Sequence, residues 1–296
     1  MPFLDFYKSI FFPQKISSIT TLSSHNFAFV ERIILDNGQS WVCKKLAKVT
    51  WLRKRERTDI DYSEQVASIV AVKLGISSSA HKIGDSYALP FNDNVFLFIP
   101  YCEGEVITNW SEEQSHILGR KLASIHQLKL PNTNAKAFPE IYLPKFYLES
   151  YAELVKFCNQ NIDYQRDAWV VSHRDVHHDN VVWKNATLPM LIDWESTGFI
   201  HPFVELIGLA VNCANVQQGQ FEPNLFAAAI TGYRLQQGGL PSADDNLWQL
   251  CFHSWLLWMS YCLEQVWDQE VTKTQTSIMV LQHQLANMKL LYRQLA

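Results

Sequence analysis

The stretch 169–195 constrains the fold of this chain more than any other. It reads in order as an apolar strand, a polar loop, a second apolar strand, a turn and a third apolar strand, with β-branched and aromatic residues in the strands. Asp175 and Asn180 lie in the loop, and Asp193 follows the last strand. Because the strand after the turn returns beside the strand before it, the pattern predicts that these three oxygen-bearing side chains lie close together.

The composition excludes several classes of protein. The 296 residues include 48% hydrophobic and 18% charged residues, with a formal net charge of −4; these values are typical of a soluble protein of one large or two medium domains. This net charge gives no indication of a basic surface that would bind nucleic acid or an anionic membrane. We expect neither partner, no secretory signal peptide and no membrane span. Six cysteines without a CxxC pair predict reduced thiols and a cytoplasmic protein, and protein partners stay open.

The spacing His173-x-Asp175-x4-Asn180, followed by a hairpin and Asp193, resembles the catalytic loop and the metal-binding aspartate of the protein-kinase-like superfamily. The resemblance implies that Asp175 is the catalytic base, that Asn180 and Asp193 are Mg2+ ligands, and that His173 supports the loop. Phosphoryl transfer from ATP requires mainly such positioning, with a carboxylate on the acceptor hydroxyl and oxygen ligands on the cation. The implied reaction is therefore transfer of the γ-phosphoryl group of ATP to a hydroxyl.

Details of the motif resemble the branch that contains aminoglycoside phosphotransferases, choline kinases and thiamine kinases. His177 stands two residues after the base, where protein kinases usually carry Lys, and Trp194-Glu195 follows Asp193 in place of Phe-Gly. Glu205 stands where many relatives carry Asp, and the resemblance assigns to it the bracing of the catalytic loop. Short similarities near the chain ends, such as Trp255-Leu-Leu257, resemble bacterial thiamine kinases most.

The resemblance also implies a nucleotide site in the N-terminal part of the chain. Asp36-Asn-Gly38 predicts a hairpin that places Lys44 in the third strand. Lys44 matches the phosphate-binding lysine of the family, and strand alternation favours it over Lys45. Glu64, in a helix predicted to begin near Ser63, matches the glutamate that pairs with this lysine.

Two further nucleotide contacts are implied by the resemblance. The loop after the first predicted strand would cover the phosphates, and it carries Ser23, Ser24 and Asn26. An ordinary polar turn is the alternative for that loop. Residues 100–104 resemble the hinge between two lobes, where the Pro100 carbonyl would accept from the adenine amine and the Cys102 amide would donate to the ring.

The predicted fold class is α+β, of the protein-kinase-like two-lobed type. A small N-lobe of antiparallel strands would span residues 1–99 and bind the nucleotide, residues 100–104 would form the hinge, and a larger, mainly helical C-lobe would span residues 105–296. The C-lobe would carry the catalytic loop and the acceptor site, with ATP in the cleft. Helical periodicity predicts the later helices at 202–211, 223–234, 242–269 and 274–295.

The acceptor site is the part of the function that the resemblance leaves most open. Segment 244–270 carries aromatic residues at helical spacing, and such a stripe is most often core. Tryptophan faces beside a carboxylate, however, also favour a bound cation. The hypothesis is that Trp255 or Trp258, with Glu264 or Glu195, holds a cationic acceptor. Thiamine is the first candidate, choline or ethanolamine the second, and an aminoglycoside the third.

A nucleotide-binding module without activity and a metal site are the alternative functions. A catalytically silent nucleotide-binding module would show damage in the motif, and none is visible in the sequence. His173 and His177 could bind zinc, and His178-Asp179 could be the doublet of an HD-type metal phosphohydrolase. Such sites lie on helices, whereas the residues on both sides of this loop predict strands.

Overall fold

The computed structural model describes residues 2–23 and 29–296. The chain divides into two compact units, Met1–Val49 with Lys54–Glu103 and Thr50–Arg53 with Gly104–Ala296. The main boundary therefore falls inside the segment that the sequence predicts as a hinge. The turn Thr50–Arg53 belongs to the second unit, so the prediction that all of residues 1–99 belong to the N-lobe is wrong at this turn. No helix among the described residues combines the length and the apolar character that a membrane crossing requires.

The first unit consists of one antiparallel sheet, a two-stranded ribbon and two helices. Its elements are α1 (Pro2–Phe11), β1 (Ile16–Ser23), β2 (Phe29–Leu35), β3 (Ser40–Lys45), β4 (Val49–Thr50), β5 (Arg53–Lys54), α2 (Arg57–Leu74), β6 (Leu89–Phe91) and β7 (Asn94–Pro100). The sheet has five strands in the order β1-β2-β3-β7-β6. The hairpin between β2 and β3 is confirmed, since the Gly38 amide donates to the Leu35 carbonyl at 3.0 Å.

The two faces of this sheet bury different side chains. On one face Cys43 packs in a cluster with Tyr7 and Phe11 of α1. On the other face Leu97 of β7 packs in a cluster with Ile60 of α2. Strand alternation of the side chains accounts for this division, because neighbouring residues of β3 and β7 point to opposite faces.

The predicted start of α2 is wrong. The helix begins at Arg57, ahead of the predicted start near Ser63, and its capping box is formed by Glu56 and Asp59. Glutamate is not a preferred N-cap residue, which is why the signal is weak in the sequence. Glu64 therefore lies in the interior of the helix and not in its first turn.

The second unit is mainly helical, with short strands around the catalytic loop. Its elements are β8 (Glu105–Val106), α3 (Glu112–Gln127), α4 (Lys145–Gln160), β9 (Val170–Ser172), β10 (Val181–Asn185), β11 (Leu188–Leu191), β12 (Gly198–Ile200), α5 (Pro202–Cys213), α6 (Pro223–Gln237), α7 (Asp245–Leu250), α8 (His253–Glu264) and α9 (Asp268–Leu295). The α+β fold class is confirmed. Ser111 and Gln114 form a capping box at the start of α3.

Helices α3 and α6 form the centre of this unit because two glycines let their backbones meet. A Cβ atom on Gly119 would lie 2.0 Å from the Ala229 carbonyl oxygen, and one on Gly232 would lie 2.0 Å from the His116 carbonyl oxygen. Any larger residue at either position would force the helices apart. This close pair carries Tyr233 and His126, whose rings contact each other, and His126 also contacts Glu205 of α5.

The helix predicted at 242–269 is in fact two helices. Asp244 caps α7 by accepting from the Leu247 amide at 2.9 Å, and the chain breaks at Cys251 and Phe252 before α8 begins. At the start of α8, His253 Nε2 lies 2.9 Å from the Pro139 carbonyl oxygen. Helix α9 begins at Asp268, six residues before its predicted start at Thr274.

Candidate active site

The hairpin of β10 and β11 brings the predicted metal ligands side by side. Val181 pairs with Leu191 across the two strands. Beyond that pair the Ile192 amide donates to the Asn180 carbonyl at 3.0 Å. Asn180 precedes one strand and Asp193 follows the other, so the pairing of apolar residues positions both polar side chains at the same end of the hairpin.

His173 connects the catalytic loop with the strand that leads to Asp193. The ring is fully buried, its Nε2 lies 2.9 Å from the Ile192 carbonyl oxygen, and its Nδ1 accepts from the Asp175 amide at 3.3 Å. Burial lowers the pKa of this histidine, so the neutral ring donates from Nε2 and accepts at Nδ1. The geometry is that of a loop support, as the resemblance implies.

Asp175 is held by long contacts that leave its carboxylate accessible. The Ser196 hydroxyl donates to Oδ2 at 3.4 Å, and the Asn180 amide nitrogen lies 3.5 Å from the same oxygen. His177 Nε2 lies 3.7 Å from Oδ1 of Asp175, and the Asp175 side chain is 33% exposed. These contacts orient the carboxylate while leaving room for a hydroxyl, which is what a base in phosphoryl transfer requires.

Asn180 and Asp193 offer the donor atoms that Mg2+ prefers. The Asn180 side chain is buried and donates from Nδ2 to the Asp175 carbonyl at 2.9 Å, which directs its amide oxygen elsewhere. Asp193 adopts a left-handed backbone conformation with φ of 59° at the start of a short helical turn. A carboxylate and an amide oxygen form a hard donor set, and Mg2+ takes only one or two such protein ligands when phosphate oxygens and water complete its shell.

Arg174 fastens the catalytic loop to the segment after Asp193, a role that the sequence did not indicate. Its guanidinium is buried over the Phe138 ring at 4.6 Å and donates to four backbone carbonyls. These are the carbonyls of Ser196 at 2.5 Å, Lys136 at 3.0 Å, Phe199 at 3.3 Å and Thr197 at 3.4 Å. A Cβ on Gly198 would lie 2.4 Å from the Lys136 carbonyl oxygen and 2.6 Å from the Arg174 guanidinium carbon, so this position at the start of β12 accepts only glycine.

Glu205 braces the loop from α5 through two hydrogen bonds. Its Oε1 accepts from the Arg174 amide at 2.6 Å, and its Oε2 lies 2.7 Å from His126 Nε2. The other ring nitrogen of His126 lies 2.8 Å from the Tyr233 hydroxyl. Burial by itself raises the pKa of the Glu205 carboxyl, but the bonds to His126 and to the Arg174 amide outweigh it and hold the pKa below its ordinary value.

Lys44, the predicted phosphate-binding residue, lies in β3 of the first unit. Lys44 is half-buried and Lys45 is exposed. Lys44 pairs with Leu97, so it lies on the sheet face that α2 covers. Glu64 is buried and stands one helical turn after Ile60, the α2 residue in the Leu97 cluster. The pairing of Lys44 with Glu64 stays a prediction.

The other predicted nucleotide contacts are located only in part. Ser23 ends β1 and pairs with Val30, whereas Ser24 and Asn26 lie outside the described residues. Pro100 ends β7, and the next amide, that of Tyr101, already donates to the Ser40 carbonyl at 2.8 Å. An adenine donor in this segment would therefore come after Tyr101, as the prediction for Cys102 requires.

The aromatic stripe of segment 244–270 does not form one surface. Trp248 and Phe252 are buried, and Trp255 lines a small apolar pocket with residues of α5 and α9. Trp258 instead belongs to a half-buried group with Tyr261 and Trp267, whose ring centroids lie 5.4–6.3 Å apart. The single cation-binding face that helical spacing suggested is thus divided within α8: Trp255 shares its pocket with Trp248 and Phe252, whereas Trp258 packs with Tyr261 and Trp267.

The two predicted acceptor carboxylates have different surroundings. Glu264 forms an ion pair with Arg53 at 2.9 Å, and Arg53 also lies over the Tyr142 ring. Glu195 lies in the turn between Asp193 and Ser196, whose hydroxyl contacts the base. Glu195 is therefore the carboxylate in the same turn as a residue that touches Asp175.

The histidine doublet is not arranged as in a helical metal site. His178 is buried against the Trp110 ring at 4.1 Å, in a short turn that leads into β10. Burial, with a smaller effect of the neighbouring His177, lowers the pKa of His178 to about 4. The flanking strands are those that the sequence predicts, so the doublet belongs to the catalytic loop.

The sequence matches the model of the phosphotransferase enzyme family (APH) over residues 33–241. The chain belongs to this family. The matched range contains the predicted lysine, the whole catalytic loop and the glutamate that braces it. The phosphotransferase is therefore a small-molecule kinase that acts on hydroxyl groups.

Solved structures of low sequence identity share its fold. An amicoumacin kinase, hAmiN, solved with AMP-PNP, Ca2+ and Ami, has a TM-score of 0.71 at 14% identity, covering 95% of this chain and 93% of that one. A spectinomycin phosphotransferase solved with ADP and its antibiotic has a TM-score of 0.61 at 16% identity, covering 99% and 93%. A macrolide 2'-phosphotransferase from Brachybacterium faecium has a TM-score of 0.57 at 12% identity, covering 94% and 97%. No curated protein matches significantly by sequence.

Proposed function

We propose that this phosphotransferase transfers the γ-phosphoryl group of ATP to a hydroxyl of a small cationic molecule, with Mg2+ as the cation. Asp175 is the base, and Asn180 and Asp193 are the metal ligands. The observation that carries the proposal is the arrangement of the catalytic loop. The side chain of Asn180 contacts Asp175, and the backbone carbonyl of Asn180 accepts from the amide of Ile192, the residue before Asp193.

The chemistry follows from this arrangement. When bound, Mg2+ neutralises charge on the phosphates of the nucleotide. The Asp175 carboxylate accepts a hydrogen bond from the acceptor hydroxyl and takes its proton as the new O–P bond forms. The bond between the γ-phosphorus and the bridging oxygen of ATP breaks in the same transfer, and ADP leaves with the bridging oxygen. His173, Arg174 and Glu205 keep the loop in one conformation during this step, since each is buried and contacts a different element.

Lys44 is proposed to hold the phosphates, with Glu64 as its partner. We expect Lys44→Ala to raise the KM for ATP and lower kcat, and Glu64→Ala to have the same effect more weakly. Lys45→Ala is the matched control, because Lys45 is the exposed neighbour on the opposite face of β3. Steady-state kinetics with ATP as the varied substrate would decide. A damaging Lys45→Ala beside a silent Lys44→Ala would show that the strand register of the nucleotide site is wrong.

The acceptor is proposed to be a cation that bears a hydroxyl. Thiamine is the first candidate, choline or ethanolamine the second, and an aminoglycoside the third. Glu195 supports a cationic acceptor because it adds a carboxylate to the turn beside the base. Structures of the same fold were solved with small molecules such as spectinomycin. The six cysteines are free and four of them are buried, which agrees with the proposed cytoplasmic location.

An ATP-consumption screen tests this function directly. Thiamine, choline, ethanolamine and several aminoglycosides would be offered separately, and phosphorylated product would be identified by mass spectrometry. We expect one cationic alcohol to stimulate ATP use well above the acceptor-free rate. Binding of ATP without turnover on any acceptor would favour the silent nucleotide-binding module instead.

Variants at the four predicted acceptor residues would then locate the site. We expect Glu195→Gln to raise the KM for the acceptor more than the KM for ATP. A cation held over a Trp face is stabilised by about 0.5–2 kcal/mol, so we expect Trp258→Leu to raise acceptor KM by about 2- to 30-fold. Trp255→Leu and Glu264→Gln are the comparison variants, since Trp255 faces a pocket of α5 and α9 and Glu264 is paired with Arg53. Unchanged acceptor KM in all four folded variants would place the acceptor elsewhere.

A further inference from the structure

We infer that His177 is a positioning residue that fixes the orientation of the Asn180 side-chain amide, so that the amide oxygen faces the cation. The inference rests on the proposed function, in which Asn180 is a metal ligand. His177 stands two residues after the base, and its role is not explained by its contact with Asp175. The two side chains are 3.7 Å apart, which is longer than a hydrogen bond.

The first step concerns which end of the Asn180 amide faces the loop. The group that faces the Asp175 carbonyl lies 2.9 Å from it. A backbone carbonyl only accepts hydrogen bonds, so the amide must present its NH2 group and not its oxygen at this distance. One of the two amide hydrogens is thus used by the backbone of the base itself.

The second step concerns the other amide hydrogen. His177 Nε2 lies 3.0 Å from the same amide nitrogen. An NH2 group only donates, so the ring nitrogen facing it must carry a lone pair, and the ring hydrogen is on Nδ1.

The consequence is that both hydrogens of the Asn180 amide are committed within the loop. Rotating the amide by half a turn would place its oxygen against the Asp175 carbonyl and against the lone pair of His177. Both contacts would then join two acceptors, which is unfavourable in a buried site. The oxygen is therefore held on the other side of the amide, where it would be available as a ligand for Mg2+, the cation that Asn180 and Asp193 would hold in the proposed function.

A lysine at position 177, as protein kinases usually carry, could not serve in this way. An ammonium group has donors and no acceptor, so it cannot receive the second amide hydrogen. Glutamine can receive it, since its Oε1 is as many bonds from Cβ as the histidine Nε2. Phenylalanine keeps the ring shape and has no acceptor. These three replacements separate hydrogen-bond acceptance from the shape and polarity of the side chain.

The experiment measures Mn2+ binding directly, by electron paramagnetic resonance titration of the full chain with ADP present and no acceptor. We expect His177→Phe and His177→Lys to weaken Mn2+ affinity about 10- to 100-fold, the usual effect of losing a residue that orients a metal ligand. His177→Gln should stay within about 3-fold of the wild type. His283→Phe, at an exposed position of α9, is the matched control and should bind Mn2+ as the wild type does.

The outcomes are separable from those of the proposed function. Asp193→Asn tests the metal site itself, and we expect it to weaken Mn2+ binding. If Asp193→Asn has no effect, the assignment of the metal ligands fails. If Asp193→Asn weakens binding while His177→Phe and His177→Lys do not, the inference about His177 is overturned. It is also overturned if His177→Gln binds as weakly as His177→Phe, because the ring would then matter and the acceptor would not. Should His177→Phe not fold, the pair of His177→Lys and His177→Gln decides alone.

Discussion

Asp175→Asn is expected to remove nearly all turnover while ATP affinity stays close to that of the wild type. The replacement keeps the shape of the side chain and removes the group that takes the proton from the acceptor hydroxyl. Loss of a positioned base typically lowers the rate about 10²- to 10⁴-fold. The contacts of Asp175 with Ser196 and His177 are 3.4 Å and 3.7 Å long, so little folding stability depends on them.

The measurement for Asp175→Asn pairs kcat, obtained with the acceptor identified by the screen, with ATP affinity from equilibrium binding. Asp167→Asn is a suitable control, because Asp167 is exposed in the turn before β9 and belongs to no part of the proposed site. Wild-type kcat in the folded Asp175→Asn variant would remove Asp175 from the role of base. A large loss of ATP affinity would instead assign Asp175 to the nucleotide.

The second large effect is expected at Asp193. Asp193→Asn should abolish most activity at ordinary Mg2+ concentration, because a neutral amide replaces the carboxylate charge that Mg2+ prefers. Asparagine tolerates the left-handed backbone that Asp193 adopts, so the melting temperature should change little. Asp193→Ala should lose activity as well and should also be less stable, since alanine is strained by about 1 kcal/mol in that conformation.

Activity as a function of Mg2+ concentration, with thermal unfolding of each variant, would check this expectation. Raised Mg2+ should rescue little in either variant, because a missing ligand is not replaced by more cation. Asp85→Asn, at an exposed position of the first unit, is the control for a general effect of charge. Full activity of Asp193→Asn would mean that the cation is held by other residues.

The centre of the site was predictable because it depends on local sequence. The strands around Asp175, Asn180 and Asp193 are marked by β-branched and aromatic residues, and the hairpin pairs Val181 with Leu191 as that pattern requires. The α+β fold class and the family follow from the same short stretch. Hydrophobic alternation and motif spacing are properties of neighbouring residues, so a single sequence contains them.

Contacts between distant parts of the chain could not be predicted in this way. Glu205 is 79 residues from His126, and His126 is 107 residues from Tyr233, yet the three side chains form one buried chain of contacts. Nothing in the sequence around His126 distinguishes it from a histidine on an ordinary helix. The contacts of Arg174 with backbone carbonyls could not be predicted either, because every residue type has a backbone carbonyl.

The helix errors have a different cause. The periodic apolar residues of segment 242–269 suit one long helix as well as two, and the break at Cys251 and Phe252 has neither glycine nor proline to mark it. Because the helix is broken, Trp248 packs with Phe203 in the core while Trp258 packs with Tyr261. The prediction of one aromatic face assumed a single helix and therefore grouped residues that lie apart in the structure.

The left-handed backbone at Arg174 and at Asp193 bears on how this enzyme could be made more robust. Both residues adopt a conformation that most residue types disfavour, and both belong to the proposed active site. Variants selected for heat tolerance alone would be drawn to glycine at position 193, where the strain is relieved and the carboxylate is lost. Glycine at position 174 would instead leave buried backbone carbonyls without their donors, which costs more than the strain. Selection for stability in this chain thus has to be coupled to a catalytic assay, because a substitution that relieves backbone strain in the active site can also remove activity.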